Sequence, residues 1–76
     1  SEVTLSLKSI GEEIKATSSV SVIVRNTNGG IVYRNQVSAD QLNNLVVRFP
    51  HVLPMGVYMV FVESEKGVKT TRIIVK

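Results

Sequence analysis

LPMGVYMVFVESEKGVKTTRIIVK, residues Leu53 to Lys76, is the stretch that decides the fold of this chain. Two runs rich in apolar and β-branched residues, Val57–Glu63 and Val68–Val75, flank the polar turn Glu65–Gly67. Such runs are typical of strands, and a short polar turn between them predicts a β-hairpin. The second run continues almost to the last residue. We therefore expect the end of the chain to form part of a sheet, where many chains fray.

The first strand of this hairpin is apolar on both faces, because alternate residues of a strand point to opposite sides of the sheet. A central strand whose outer face is covered by a loop or by neighbouring side chains would explain this, and is the commoner arrangement. A hydrophobic outer face that binds a partner would explain it too. One predicted face carries Val57, Met59 and Phe61, and the other carries Tyr58, Val60 and Val62.

Further strands are predicted on the N-terminal side of the hairpin. Alternation of apolar and polar residues, together with β-branched side chains, marks each of them. Between two of them, Asn28-Gly29 predicts a tight type I′ turn, in which both central residues need positive φ. Ser38–Asn43 is polar and predicts one helical turn, with Asp40 as its cap. The predicted strands are Val3–Lys8, Glu13–Ala16, Val20–Arg25, Ile31–Val37 and Leu45–Phe49.

These segments add up to about seven short antiparallel strands. At 76 residues the chain has room for one domain, residues 1–76, and its apolar fraction of 43% is sufficient for a core. The spacing of the strands predicts an all-β fold, a small immunoglobulin-like β-sandwich. The chain starts at Ser1 and shows no secretory signal, so we expect a domain excised from the end of a longer exported protein.

Composition narrows the function. The chain has no cysteine, which excludes a disulfide scaffold and a cysteine zinc site. The net charge is +3, and the basic residues are spread along the sequence. The chain therefore lacks the dense basic patch with stacking aromatic residues that is typical of a nucleic-acid binder. A basic face would still suit an anionic partner. No apolar run approaches the ~20 residues of a membrane-spanning helix.

Catalytic groups are sparse. His51 is the single histidine, and Glu12-Glu13 are adjacent, so on a strand they would point to opposite faces. Thr17-Ser18-Ser19 has no nucleophile motif around it, and Gly29-Gly30 matches no phosphate-binding spacing. We therefore predict that the chain is not an enzyme and holds no metal or cofactor.

Three segments together resemble a known family. The Val22–Tyr33 hairpin resembles the family's first hairpin, with an alternating strand before an Asn/Asp-x-x-Gly turn. Leu53–Val60 resembles its L-P-x-G-x-Y-x-V signature, and Lys69–Lys76 resembles its basic, β-branched end. The family is the type A C-terminal sorting domain of the Bacteroidetes type IX secretion system. The resemblance covers Val20–Lys76; the family's Tyr-Pro-Asn-Pro-like opening is missing, and Arg72 stands where lysine is usual.

The resemblance implies a function and partners. Cargo of this family crosses the periplasm, and the domain is recognised by the outer-membrane translocon and its shuttle protein. A sortase-like cysteine peptidase often cleaves before the domain, and the cargo reaches the cell surface or the medium of a Gram-negative Bacteroidetes cell. The alternative is an accessory immunoglobulin-like module of a secreted or cell-surface hydrolase or adhesin.

The same resemblance implies which residues are recognised. We expect Ile73 and Val75 to face the core. The other face of the last strand carries Arg72, Ile74 and Lys76, and we expect these residues to meet the shuttle. The competing explanation is an edge strand whose charges prevent aggregation, and an unpaired edge would also permit edge-strand dimers. Gly56 is expected to permit a turn that a β-carbon would obstruct, and Tyr58 to be a core or corner aromatic. The predicted recognition residues are Gly56, Tyr58, Lys69, Arg72, Ile74, Val75 and Lys76.

Overall fold

The computed structural model of the chain describes residues 2–5, 7, 14–15, 17–49 and 52–76. Within these residues the chain forms strands joined by short turns and one 3₁₀ helix, Ala39–Asn44. The described strands are β1 (Glu2–Leu5), β2 (Ser19–Arg25), β3 (Ile31–Ser38), β4 (Leu45–Arg48), β5 (Gly56–Ser64) and β6 (Gly67–Val75). The prediction of an all-β fold is confirmed.

The strands form two antiparallel sheets. β1 pairs with β4, and the other four strands follow the order β3-β2-β5-β6. β2 and β5 are therefore central, while β3 and β6 form the two edges of the larger sheet. The predicted hairpin is β5-β6, whose pairing runs from Gly56 opposite Val75 to Ser64 opposite Gly67.

The core lies on one side of the four-stranded sheet, which we call its inner face. Val22, Val24 and Val60 are completely buried there. Tyr33 of β3 meets Phe49 edge-to-face, with ring centroids 6.0 Å apart, and so joins the large sheet to the segment after β4. Two packed layers around one apolar core make a sandwich-like arrangement. The other buried core residues are Leu7, Ile14, Val20, Ala39, Leu42, Leu45, Val47, Tyr58 and Val62.

Five of the predicted strands are confirmed to within one residue at each end, and they correspond to β2 to β6. The first strand is shorter than predicted: β1 ends at Leu5, and the amide of Leu7 donates a hydrogen bond to the carbonyl oxygen of Leu42, at 2.7 Å. The predicted strand Glu13–Ala16 is wrong at Ile14 and Lys15, which belong to no strand; its two ends lie outside the described residues. Ile14 is nevertheless buried, so its apolar character reflects the core.

The turn at Asn28-Gly29 differs from the predicted type I′. Gly29 has φ +84°, but no non-glycine residue in the described part of the chain has positive φ, so Asn28 cannot occupy a type I′ position. The side-chain oxygen of Asn26 accepts hydrogen bonds from the backbone amide nitrogens of Asn28, at 3.1 Å, and Gly30, at 2.8 Å. This side chain closes a longer turn than the dipeptide predicts, and the β2-β3 register shifts beside it, next to Arg25.

The predicted helical turn is confirmed as the 3₁₀ helix, but its cap is Ser38 and not Asp40. The amide of Ser38 donates to Gln41 Oε1 at 3.0 Å, and its hydroxyl donates to Asp40 Oδ1 at 2.6 Å. A serine before the first turn with glutamine three residues later satisfies the exposed amide at the helix start. The helix places Leu42, which is fully buried, under the large sheet.

Candidate recognition surface

β6 combines an edge position with a two-sided pattern of burial. Ile73 and Val75 are half-buried and pack against the core cluster. Arg72 and Ile74 are exposed on the other side, Ile74 to 65%. Lys76, directly after β6, is exposed as well. The edge therefore carries an apolar side that fixes it to the domain and an opposite side that is open to contact.

The outer face of the large sheet continues from β6 onto β5. Ile74 lies opposite Val57, and Arg72 lies opposite Met59. Val57 is 39% exposed, and Met59 is half-buried. β5 is thus a central strand, as the first interpretation of its two apolar faces required. Neighbouring side chains cover its outer face only in part.

One of these neighbouring side chains is Arg25 of β2. Its guanidinium carbon lies 5.7 Å from the centre of the Phe61 ring, within cation–π distance, and its Nη1 donates to the carbonyl oxygen of Gly29 at 2.9 Å. Both contacts hold the arginine over the outer face. Its stem and charge thereby replace part of the water that Phe61 would otherwise meet.

Gly56 and Tyr58 position the start of β5. The φ of Gly56 is +148°, a conformation that L-residues rarely adopt, whereas a β-carbon built there meets no atom within 4 Å. The backbone conformation of Gly56 therefore favours glycine, although a β-carbon at this position would not clash with any neighbouring atom. Tyr58 is 4% exposed, and its hydroxyl donates to the carbonyl oxygen of Pro54 at 2.7 Å. This bond fastens the Leu53–Gly56 loop to the sheet, as expected of a corner aromatic.

Two of the three segments that carried the family resemblance, Val22–Tyr33 and Leu53–Val60, meet at one end of the large sheet. A depression of about 240 Å³ lies between the turn after β2 and the loop before β5. Asn26 and Asn28 line one side, and Pro54 and Met55 line the other. Met55 is 81% exposed, so the depression has a large apolar side chain at its rim.

The described residues provide neither a metal site nor a membrane-spanning helix. The described segments contain no group of three or more His, Cys, Asp or Glu side chains close enough to hold a metal ion. No described helix has the length and hydropathy needed to cross a membrane. His51 lies outside the described residues.

Comparison with known proteins identifies the family. A family model described as the secretion system C-terminal sorting domain matches residues 1–76, the whole chain. The chain belongs to this family. These are the C-terminal sorting domains of type IX secretion, a family of signals and not of enzymes, so the resemblance found in the sequence is confirmed. No curated protein and no solved structure gave a significant match.

In this sorting domain the predicted recognition residues do not form one surface. Arg72, Ile74 and Lys76 are exposed at the edge that β6 forms. Tyr58 is buried, and Val75 packs against the core. Tyr58 therefore exposes little surface for contact, and Val75 is half-buried. The roles of all seven residues stay predictions.

Lys69 and Gly56 also stand apart from that edge surface. Lys69 is exposed but lies opposite Val62, a buried inner-face residue, so its side chain starts from the other side of β6. Gly56 lies at the first position of β5 and contributes backbone only. The sequence signal missed two residues of the outer face, Arg25 and Arg34. Alternation in β2 could have indicated that Arg25 points outward, whereas β3 carries three polar residues in a row starting at Arg34 and gives no such signal.

Proposed function

We propose that this chain directs a cargo protein attached before it across the outer membrane through the type IX secretion system. The shuttle protein of the translocon binds the outward side of β6, with Arg72, Ile74 and Lys76 as the contact residues. The domain passes the periplasm folded and reaches the cell surface or the medium with its cargo. No step requires catalysis by the chain itself.

The observation that carries the proposal is that alternate residues near the end of β6 either pack against the core or are exposed. Ile73 and Val75 pack against the core, and the residues between and beside them are exposed. β6 is also the edge of its sheet, with no strand beyond it among the described residues. An edge strand offers unpaired main-chain groups for strand addition, while its alternate side chains supply specificity. A structured edge presents both features without an ordering cost.

Processing forms the second part of the proposal. A sortase-like cysteine peptidase cleaves the cargo from the domain at a peptide bond before the first described strand, and joins the cargo to anionic lipopolysaccharide. The family membership supports this step, since members of the family carry cargo for such processing. The intact mass of exported cargo tests it. Mature cargo that lacks β1 to β6 is expected, whereas cargo that retains the whole domain would contradict cleavage.

The sorting role is tested with a reporter enzyme fused before residue 1 in a type IX-competent bacterium. We expect the reporter outside the cell when the chain is present and in the periplasm when the chain is deleted. Export that does not depend on the chain would refute the proposal. It would favour the accessory module of a secreted hydrolase or adhesin instead.

A finer variant separates recognition from folding. Replacing Ile73–Lys76 as a whole would also remove the packing of Ile73 and Val75. The double substitution Arg72→Gln with Ile74→Asn changes exposed side chains only. We expect folded reporter to accumulate in the periplasm. Val68→Asn is the matched control, because Val68 is also exposed on β6, to 56%, at the strand's other end.

A further inference from the structure

Three arginines surround two apolar side chains on the outer face of the large sheet. Arg25 lies on β2, Arg34 on β3 and Arg72 on β6. Between them lie Met59 and Phe61 of β5. We call these five residues the arginine face.

The strand register places these residues in two adjacent rows. Met59 lies opposite Arg25 on one side and opposite Arg72 on the other. In the next row Ile23 lies opposite Arg34 and opposite Phe61. Directly opposed residues of antiparallel strands project to the same face. Arginines from both edge strands and from one central strand therefore share one surface.

The surface is ready to bind a partner. Ile23 is only 6% exposed although it lies outside the core cluster, which shows that the neighbouring side chains already pack over it. Arg34 and Arg72 are exposed, and neither forms a hydrogen bond or ion pair within the described part of the chain. Arg25 is held over Phe61. The apolar centre is thus partly covered, and two guanidinium groups have their donors available.

Protection of the sheet edges does not account for this arrangement. Charged side chains commonly guard edge strands against aggregation, and Arg34 and Arg72 are on edge strands. Arg25 is on β2, which is paired on both sides. Arg25 lies over an aromatic ring in the middle of the sheet, so protection of an edge strand does not explain its position.

We propose that the arginine face docks an acidic protein surface, one whose carboxylates surround an apolar side chain. The inference rests on the proposed function and extends the contact from β6 across the sheet to β3. Guanidinium groups pair with carboxylates in a bidentate, planar geometry. Arginine, methionine and aromatic residues are enriched at protein–protein contacts. The partner is the component of the outer-membrane translocon that captures the domain.

A second copy of the chain fits this face less well. Self-docking would bring three arginines toward three arginines, with Glu63, at the next position on that face of β5, as a counter-charge. Like charges facing each other across an interface oppose association. An anionic lipid surface would satisfy the arginines but would not require the ordered apolar centre between them.

The test uses Arg34→Glu, because binding through β6 alone does not involve β3. The probe is the detergent-purified translocon with its shuttle protein, and affinity for the 76-residue chain is measured at low and high salt. We expect Arg34→Glu to weaken binding about tenfold or more and to reduce the salt dependence. Lys66→Glu changes charge equally at an exposed turn and is expected to stay within about twofold. An unchanged thermal midpoint in both variants shows that the fold is kept.

Three results would overturn the inference. If Arg34→Glu leaves the affinity unchanged while Arg72→Gln with Ile74→Asn abolishes binding, recognition stops at β6 and the sorting function stands. If the chain binds vesicles containing phosphatidylglycerol, and Arg34→Glu abolishes that binding but leaves translocon binding unchanged, the arginine face binds lipid. If the chain self-associates in analytical ultracentrifugation, and Arg34→Glu abolishes self-association but leaves translocon binding unchanged, the arginine face binds a second copy of the chain. Chain-independent export in the fusion experiment would instead refute the sorting function itself.

Discussion

The inner and outer faces of β5 have similar composition and opposite environments. On the inner face Tyr58 is 4% exposed, Val60 0% and Val62 1%. On the outer face Val57 is 39% exposed, and Met59 and Phe61 are half-buried. Residue type alone therefore does not decide which side of a strand becomes core. The second layer, contributed by β4 and the 3₁₀ helix, decides it.

The difference has a functional meaning. Apolar side chains facing a packed layer contribute to stability through burial, whereas those on a half-open face contribute less and remain available for contact. In this sorting domain the two kinds of apolar side chain lie on opposite sides of one sheet. The following predictions test that separation.

The largest effect is expected from Val60→Ala. Val60 is fully buried, so removing two methyl groups costs the transfer free energy and leaves a cavity, about 2–3 kcal/mol together. Val57→Ala, on the outer side of the same strand, is the matched control and should cost about 0.5–1 kcal/mol. Urea unfolding of both variants measures the gap. Equal costs would show that the two faces do not differ as described.

A smaller effect is expected from Gly56→Ala. The backbone of Gly56 has φ +148°, and forcing alanine into that region costs about 1–2 kcal/mol even where space is open. The strain should appear as a lower midpoint in thermal unfolding. Gly30→Ala is a useful contrast, since Gly30 does not have positive φ and its built β-carbon approaches the Asn26 side chain at 3.2 Å. A neutral Gly56→Ala would mean that the loop before β5 adapts.

The smallest effect on stability is expected from Tyr58→Phe. It removes the 2.7 Å bond to the Pro54 carbonyl and keeps the buried ring, at a cost of about 1 kcal/mol. For a domain of this size that corresponds to a fall of about 4–8 °C in the midpoint. Faster amide exchange confined to the Leu53–Gly56 loop would confirm where the bond acts. Unchanged amide exchange in the Leu53–Gly56 loop would show that the Tyr58 hydroxyl does not hold the loop that lines the depression.

Much of the fold was predictable because strand signals are local. Alternation and β-branching in Val20–Arg25, and the polar turn between the last two runs, locate strands without any knowledge of partners. The Asn28-Gly29 turn was not predictable from its dipeptide, because the Asn26 side chain binds two backbone amides there. The sequence predicts a strand at Ile14 because a buried residue outside a strand and a strand residue can show the same apolar character.

The proposed recognition surface was predictable from the sequence only along β6. Alternation near the end of the chain identifies Arg72 and Ile74 as outward-facing. It cannot show that Arg25 and Arg34 lie in adjacent rows on the same face, because that depends on the order of strands in the sheet. Lys69 and Arg72 are three residues apart on β6, so alternation alone puts their side chains on opposite faces, as the register shows; their roles in recognition stay predictions.

The most direct test of the separation between the faces measures export and stability together in Val60→Ala and Ile74→Asn reporter fusions. We expect each variant to impair one property and leave the other unchanged. Val60→Ala lowers the unfolding midpoint while the folded fraction is still exported, and Ile74→Asn keeps the midpoint while folded reporter stays in the periplasm. Export of Ile74→Asn at the level of the unmodified chain would contradict the account.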